Sequence, residues 1–136
     1  MLDRDLSQYS LLVVDDDDIS RDLVGHILGQ IGATRIFSSQ DGNNARYLAQ
    51  MHRPDFVLLD IYMPQVDGWA LAESLRSLLP SVVMIMITGS HLPSDFVKSM
   101  SKRVDGYCIK PVLPDVMRKA LTGGVRRQRA SQLARL

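Results

Sequence analysis

Short apolar runs alternate along the chain with segments in which apolar residues recur at helical spacing. The helical spacing is clearest across residues 19–31 and 69–79. Continuous apolar runs separated by helices are typical of a parallel sheet covered on both faces. We therefore predict a doubly wound α/β domain with five helices and a five-stranded parallel sheet in the order 2-1-3-4-5. The predicted strands are residues 11–14, 34–37, 56–59, 82–87 and 107–109.

Length and composition fit one folded domain. The chain has 136 residues, of which 46% are hydrophobic and 23% are charged, which excludes a disordered or fibrous protein. A single cysteine, Cys108, excludes an intramolecular disulfide and a cysteine-based zinc cluster. The longest apolar run is 82–87, far short of the ~20 residues that a membrane helix needs. The N-terminus does not resemble a signal peptide, so we expect a cytoplasmic protein with no membrane contact.

Charge is distributed unevenly. The formal net charge is +1, but residues 125–136 hold four arginines and no acid. The remaining residues, 1–124, therefore carry twelve basic and fifteen acidic side chains, a balance of −3. We expect a domain over residues 8–122 and a basic tail over 123–136 that either extends the last helix or forms a linker. No aromatic residue interleaves the tail arginines, so we do not expect this chain to bind nucleic acid.

Polar side chains with phosphate chemistry follow four of the predicted strands. Asp15 and Asp16 follow the first strand, Asp60 the third, Thr88 the fourth and Lys110 the fifth. Ligands of an open α/β sheet bind outside the carboxyl ends of its strands, so these groups should converge. Converging carboxylates repel one another, and an all-oxygen site of this kind suits Mg²⁺. Asp60, on the central strand, is then the candidate nucleophile for an acyl-phosphate, with Lys110 and Thr88 as phosphate ligands.

Four segments of the chain resemble a response-regulator receiver domain. They are residues 11–17, 54–68, 84–89 and 105–111, and the resemblance extends over about residues 8–122. It implies a flavodoxin-like (βα)5 fold and a phosphoacceptor at Asp60. It further implies that Mg²⁺ is held by Asp60, by Asp16 directly, by Asp15 through water or a weaker contact, and by the backbone carbonyl of Tyr62.

The resemblance also assigns a phosphate pocket and a switch. It implies that Lys110 and the Gly89 N–H contact the phosphate, and that Thr88 and Tyr107 are the switch hydroxyl and the switch aromatic residue. The family commonly has alanine where this chain has Gly89. The Lys110–Pro111 bond is expected to be cis.

The implied function is signalling. A sensor histidine kinase or a phosphotransfer protein would supply the phosphoryl group, and phosphorylation would change the face formed by the fourth helix, the fifth strand and the fifth helix. A homodimer through that face is left open. The resemblance implies slow self-dephosphorylation rather than a dedicated enzyme, in a stand-alone receiver or one excised from a longer protein.

Other phosphate-binding classes lack the residues they need. A phosphatase of the haloacid-dehalogenase type needs a second aspartate two residues after the nucleophile, where this chain has Tyr62. A P-loop needs a glycine-rich loop with Lys-Ser/Thr after the first strand, and none follows it. A pseudo-receiver that acts only in docking would lack an acid, Thr88 or Lys110, and this chain has them all.

Overall fold

Five parallel strands form one sheet, in the order β2-β1-β3-β4-β5. The computed structural model describes residues 5–63, 66–89, 94 and 104–134. The predicted strand order is confirmed, and the predicted strand bounds differ from the observed ones by at most two residues. The strands are β1 (Ser10–Val14), β2 (Arg35–Ser39), β3 (Phe56–Leu59), β4 (Val83–Thr88) and β5 (Gly106–Ile109).

Helices connect the strands, as predicted, wherever the connection is described. A 3-10 turn (Leu6–Gln8) precedes β1, and a short antiparallel ladder pairs Tyr62–Met63 with Val66–Asp67 after β3. The predicted fourth helix would fall within residues 90–103, of which only Ser94 is among the described residues. The helices are α1 (Asp18–Gln30), α2 (Gly42–His52), α3 (Gly68–Leu78) and the C-terminal helix (Pro114–Ala134).

Aspartate side chains cap the N-termini of α1, α2 and α3. The Asp17 carboxylate accepts a hydrogen bond from the Ile19 N–H at the start of α1. The Asp67 carboxylate accepts from two backbone N–H groups at the start of α3, and Asp41 caps α2 in the same way. Such caps satisfy N–H groups that have no partner within the helix, and each is worth about 1 kcal/mol. The helices therefore begin at defined residues close to the carboxyl ends of the strands.

The hydrophobic core lies in two layers, one on each face of the sheet. Alternate strand residues such as Leu11 and Leu58 pack against α1 and the C-terminal helix. Their neighbours, such as Leu12 and Leu59, pack against α2 and α3. Both faces of the sheet are thus covered, which is why β3 and β4 are almost continuously apolar and every residue of β1, β3 and β4 is buried.

The predicted apolar face of α1 is wrong in its first two turns. Helical spacing places Ile19 and Leu23 with Ile27 and Leu28, but the first two are 81% and 50% exposed. Val24 is buried in their place. β1 ends at Val14, so the first turns of α1 lie past the strand that the helix would pack against.

The C-terminal helix continues through the basic tail to Ala134. This corresponds to the helix-extension alternative. Val125 is buried in the core, and the Arg127 guanidinium donates to the backbone oxygen of Asp105 at 2.7 Å. None of the described helices combines the length and the apolar character that crossing a membrane would require.

Candidate functional site

Two carboxylates meet at the carboxyl edge of the sheet, one after β1 and one after β3. Asp15 and Asp60 are 2% and 8% exposed. The Asp60 N–H donates to the Val14 carbonyl at 2.9 Å, which continues the pairing of the two strands past their last residues. α1 and α3 leave these neighbouring strands on opposite faces of the sheet, so a crevice opens between them.

The Lys110 side chain reaches from the end of β5 into this crevice. Its Nζ lies 3.0 Å from Asp15 Oδ2 and 2.9 Å from Asp60 Oδ2. The Lys110 N–H donates to the Thr88 carbonyl at 2.7 Å, which holds the residue beside the end of β4. The Lys110–Pro111 peptide bond is cis, as the resemblance implies. The sequence predicts that these groups lie at one edge of the sheet, and in the structure the Lys110 ammonium donates hydrogen bonds to both acids.

Three carboxylates in the crevice could hold a metal ion. One oxygen from each of Asp15, Asp16 and Asp60 lies within 4.8 Å of the others. Lys110 bonds Asp15 and Asp60 of these three, so the three carboxylates and the one ammonium together leave two negative charges in a partly buried space. Oxygen ligands with this charge fit a divalent cation such as Mg²⁺.

The four consecutive acids of the β1–α1 connection have different partners. The Asp15 carboxylate faces Lys110, and its other oxygen accepts the Asp17 N–H at 3.0 Å. Asp17 caps α1, and Asp18 forms an ion pair with Arg21. Asp16 is exposed and, with Asp15, is the member of the run that belongs to the carboxylate cluster.

Burial and charge act against each other in the site. Burial raises the pKa of the Asp60 carboxyl above its ordinary value, although hydrogen bonds from Lys110 and from the Tyr62 N–H oppose the shift. Burial alone would lower the pKa of the Lys110 ammonium. Hydrogen bonds and attraction to Asp60 and Asp15 outweigh that effect and raise it. Lys110 is therefore held in its charged form beside the two acids.

Of the remaining predicted site residues, Tyr62, Thr88 and Gly89 lie along the same edge, whereas Tyr107 lies within β5. The Tyr62 N–H donates to Asp60 Oδ1 at 2.9 Å, and the Tyr62 residue is 53% exposed. Thr88 is fully buried at the end of β4, and Gly89 follows it on the surface. Tyr107 on β5 packs at the margin of the core layer formed with α2 and α3.

Two supporting residues were missed by sequence reasoning. The Arg21 Nη1 atom donates to the Asp15 carbonyl at 2.8 Å, and its Nη2 pairs with Asp18. The three-residue spacing of Asp18 and Arg21 on a helix was the available signal. Gly68 begins α3 so close to the chain after Asp60 that a Cβ there would lie 2.4 Å from the Cα of Ile61. Only glycine allows this approach, which the sequence alone does not reveal.

Known proteins are similar in sequence to most of this chain. The family model for response regulator receiver domains matches residues 11–122. The chain is 31% identical over 128 residues to the sensor histidine kinase RcsC of Escherichia coli K12, an alignment that covers 94% of this chain and 13% of that protein. It is 30% identical over 124 residues to the response regulator Rre1 of Synechocystis, with 90% and 54% covered. The chain thus spans about half or less of the curated relatives it matches.

Solved structures with the same fold cover most of the chain. The chemotaxis protein CheY4 of Vibrio cholerae superposes with a TM-score of 0.76 at 27% identity, covering 84% of this chain and 96% of that one. The receiver domain of AraT, a response regulator from Geobacillus stearothermophilus, also gives 0.76, at 28% identity, covering 91% and 98%. The arrangement of five strands and their flanking helices is therefore shared with both proteins.

Proposed function

Because this chain belongs to the response-regulator receiver family, we propose that it accepts a phosphoryl group on Asp60 from the phosphohistidine of a histidine kinase or a phosphotransfer protein. The observation that carries the proposal is the Lys110 ammonium, bonded to both Asp15 and Asp60 in the crevice between β1 and β3. It is positioned to meet the negative charge of an incoming phosphoryl group.

The chemistry is a transfer between two side chains. A carboxylate oxygen of Asp60 attacks the phosphorus of the phosphohistidine, a P–O bond forms, the P–N bond breaks, and the imidazole nitrogen leaves with its electron pair. The Tyr62 N–H and Lys110 hold the two Asp60 oxygens, at 2.9 Å each, so the nucleophile is oriented before the donor arrives. Positioning and electrostatic stabilisation supply the catalysis, as expected for phosphoryl transfer.

Asp15, Asp16 and Asp60 are the residues that would hold Mg²⁺, with the backbone carbonyl of Tyr62 as a further ligand. The two negative charges that Lys110 leaves unbalanced support this assignment. When bound, the ion neutralises charge on the transferring phosphoryl group. Arg21 supports the site from α1, because its hydrogen bond to the Asp15 carbonyl restrains the connection that carries both acids.

Residues of β4 and β5, and those that directly follow these strands, would bind the phosphoryl group and respond to it. We assign Gly89 and Lys110 to phosphate binding, and Thr88 and Tyr107 to the switch. Thr88 and Tyr107 lie on the adjacent strands β4 and β5, whose pairing joins Met86 to Tyr107 and Thr88 to Ile109. A movement of Thr88 would therefore change the face formed by the fourth helix, β5 and the C-terminal helix. Slow hydrolysis of the acyl-phosphate would reset the switch.

An exposed apolar surface beside the site supports docking of a protein donor. It comprises Ile19 and Leu23 on α1 with Leu113 and Val116 at the start of the C-terminal helix, and each is between 45% and 81% exposed. These segments follow β1 and β5 at the edge where Asp60 lies. A histidine-bearing domain that covers this surface would bring its phosphohistidine to the crevice. Histidine kinases phosphorylate themselves with cytoplasmic ATP, so the proposal places the chain in the cytoplasm.

Phosphorylation by acetyl phosphate tests the proposed acceptor. We expect a phosphate-affinity gel to show a shifted band for the wild type with Mg²⁺, and no shifted band for Asp60→Asn or after EDTA. A shifted band in Asp60→Asn would overturn the assignment.

For the metal, we expect calorimetry to show weaker Mg²⁺ binding by Asp16→Asn than by Asp17→Asn, since asparagine caps a helix as well as aspartate does. Equal losses would move the ligand to Asp17.

The switch has a separate test. We expect beryllofluoride to change amide exchange around residues 89–112, since this range begins directly after Thr88 and includes Tyr107. The matched control is Thr88→Val, which keeps the side-chain volume and lacks the hydroxyl. Changes confined to α1 and α2, or equal changes in Thr88→Val, would contradict the proposed output face.

A further inference from the structure

A second cavity lies at the amino edge of the sheet, at the opposite end of the strands from Asp60. It has a volume of about 360 Å³ and is bounded by the starts of β3 and β4 and by the last turns of the C-terminal helix. Pro80, Val83 and Val125 contribute apolar surface to it. Its volume falls within the range of pockets that bind small molecules.

The basic tail of the sequence forms one wall of this cavity. Gln128 is only 5% exposed and its Nε2 donates to the Pro80 carbonyl at 3.2 Å, which fixes the helix against the loop before β4. Arg129 and Gln132 follow on the same wall. The tail is thus folded against the domain, and its side chains face a concave surface.

Arg53 also lines the cavity and has an unusual backbone conformation. Its φ of 45° places it in the left-handed region at the end of α2, where glycine is the residue that avoids a steric cost. Its guanidinium donates to the Leu78 carbonyl at 3.3 Å. Among the described residues no carboxylate lies within ion-pair distance of it. The chain thus keeps an arginine at the rim of the cavity although the backbone there favours glycine.

The charge of the lining is positive. Its single acid is Asp55, whose carboxylate accepts hydrogen bonds from the Ser10 N–H at 2.9 Å and the Ser10 hydroxyl at 3.4 Å. The other polar side chains of the lining are two guanidinium groups, two carboxamides and the hydroxyls of Tyr9 and Ser81. Guanidinium groups pair with carboxylates and phosphates through planar, charge-assisted hydrogen bonds.

We propose that this cavity binds a small organic anion, with a carboxylate or phosphate head between Arg53 and Arg129 and an apolar body against Pro80, Val83 and Val125. The site is distinct from the phosphoacceptor crevice, since it uses the opposite ends of β3 and β4. It would give the basic tail a role in ligand binding that the phosphoacceptor chemistry does not require.

The test uses four naphthalene probes of similar size, without Mg²⁺: 1-naphthoate, 1-naphthyl phosphate, neutral 1-naphthol and the cation 1-naphthylmethylammonium. Binding is followed by amide chemical shifts in NMR titrations of the full chain. We expect both anions, or one of them, to shift residues 53–55, 79–83 and 125–132 saturably. The anion that binds more tightly identifies the head group as carboxylate or phosphate.

Variants separate specific binding from nonspecific attraction. We expect Arg53→Gly and Arg129→Gln each to weaken anion binding about tenfold, the loss of a charged hydrogen bond. Arg53→Gly also suits the backbone, so lost binding cannot reflect unfolding. Arg126→Gln, an exposed arginine outside the lining, should leave binding unchanged. No saturable anion binding, equal binding of the neutral or cationic probe, or equal loss in Arg126→Gln would overturn the proposal.

Discussion

Near each end of β5 lies a buried aspartate that is paired with a cation, but the two pairs have different surroundings. Asp105 precedes the strand at the amino edge of the sheet, and Lys110 follows it at the carboxyl edge, where it meets Asp60 and Asp15. Both Asp60 and Asp105 are buried aspartates with a cationic partner. Burial raises the pKa of each, although hydrogen bonds to each oppose the shift.

The charged neighbours of the two aspartates differ: Asp105 has two cations, Arg76 and Arg127, whereas Asp60 has the cation Lys110 and the anion Asp15. Asp105 Oδ2 accepts from Arg76 Nη2 and from the Met84 N–H, both at 2.8 Å, and its backbone oxygen accepts from Arg127. One acid there meets two guanidinium groups. At the other end one ammonium bonds two of three clustered acids, so that region keeps unbalanced negative charge. A carboxylate whose charge is balanced by cations, such as Asp105, stabilises the packing of the helices and strands around it. A cluster with excess negative charge, such as that at Asp60, can bind a cation and a phosphoryl group.

The largest expected effect is the difference in the free energy of unfolding lost when each aspartate is replaced by alanine. Asp105→Ala leaves Arg76 without its carboxylate in a buried position, and breaking such a pair costs about 3–5 kcal/mol of the free energy of unfolding. Asp60→Ala should cost less than about 1 kcal/mol, because Lys110 keeps Asp15 and a buried charge is removed. Urea denaturation of the two variants measures both values. Equal losses would mean that the two regions are not different in kind.

A second prediction concerns the strand that joins the two ends. Cys108 is buried on β5, and burial raises the pKa of its thiol from 9.0 to about 11. Because the folded pKa lies above the unfolded one, the thiol contributes stability that is present below pH 9 and is lost as the pH rises towards 11. We expect the wild type to lose about 2 kcal/mol more than Cys108→Ala over this interval. Urea denaturation series at several pH values test this, and parallel pH profiles would contradict it.

The charge imbalance around Lys110 can be made larger. Lys110→Met leaves the three acids with no ammonium, so we expect Mg²⁺ to bind several-fold more tightly, by about 1 kcal/mol. Phosphoryl transfer to Asp60 should fall at the same time, because the phosphate loses its cationic contact. Calorimetry at constant ionic strength measures the affinity, with the exposed Lys119→Met as the control. Weaker Mg²⁺ binding in Lys110→Met alone would show that the ammonium orders the acids rather than competing with the ion.

The smallest expected effect concerns Tyr62 at the open end of the site. Its ring is placed two residues past Asp60, where it would shield the acyl-phosphate from the attacking water. We expect Tyr62→Ala to lose phosphate about two- to fivefold faster, up to about 1 kcal/mol of barrier. Ser90, the other residue expected at the rim, lies outside the described residues. Timed loss of phosphate is compared with that of Tyr62→Phe, and slower decay in both variants would mean that the hydroxyl positions water.

Sequence reasoning was accurate where a local pattern implies a fixed geometry. The strands were predicted because buried parallel strands are continuously apolar. The convergence of Asp60 with Lys110 followed from their places after two strands of one parallel sheet, whose carboxyl ends lie at the same edge. It was inaccurate where burial depends on what lies beyond the strand ends. Ile19 and Leu23 fit a helical period, yet no strand reaches them, and the period cannot reveal this.

The sequence by itself determined the α/β class, the strand order and the edge at which the chemistry gathers, because alternation of strand and helix restricts a chain to few right-handed topologies. Only the tertiary structure decided which acids of the run after β1 cap a helix and which face Lys110. It also decided that the basic tail closes a cavity against Arg53 and Pro80. Those outcomes depend on distances between residues far apart in the chain, which no local pattern encodes.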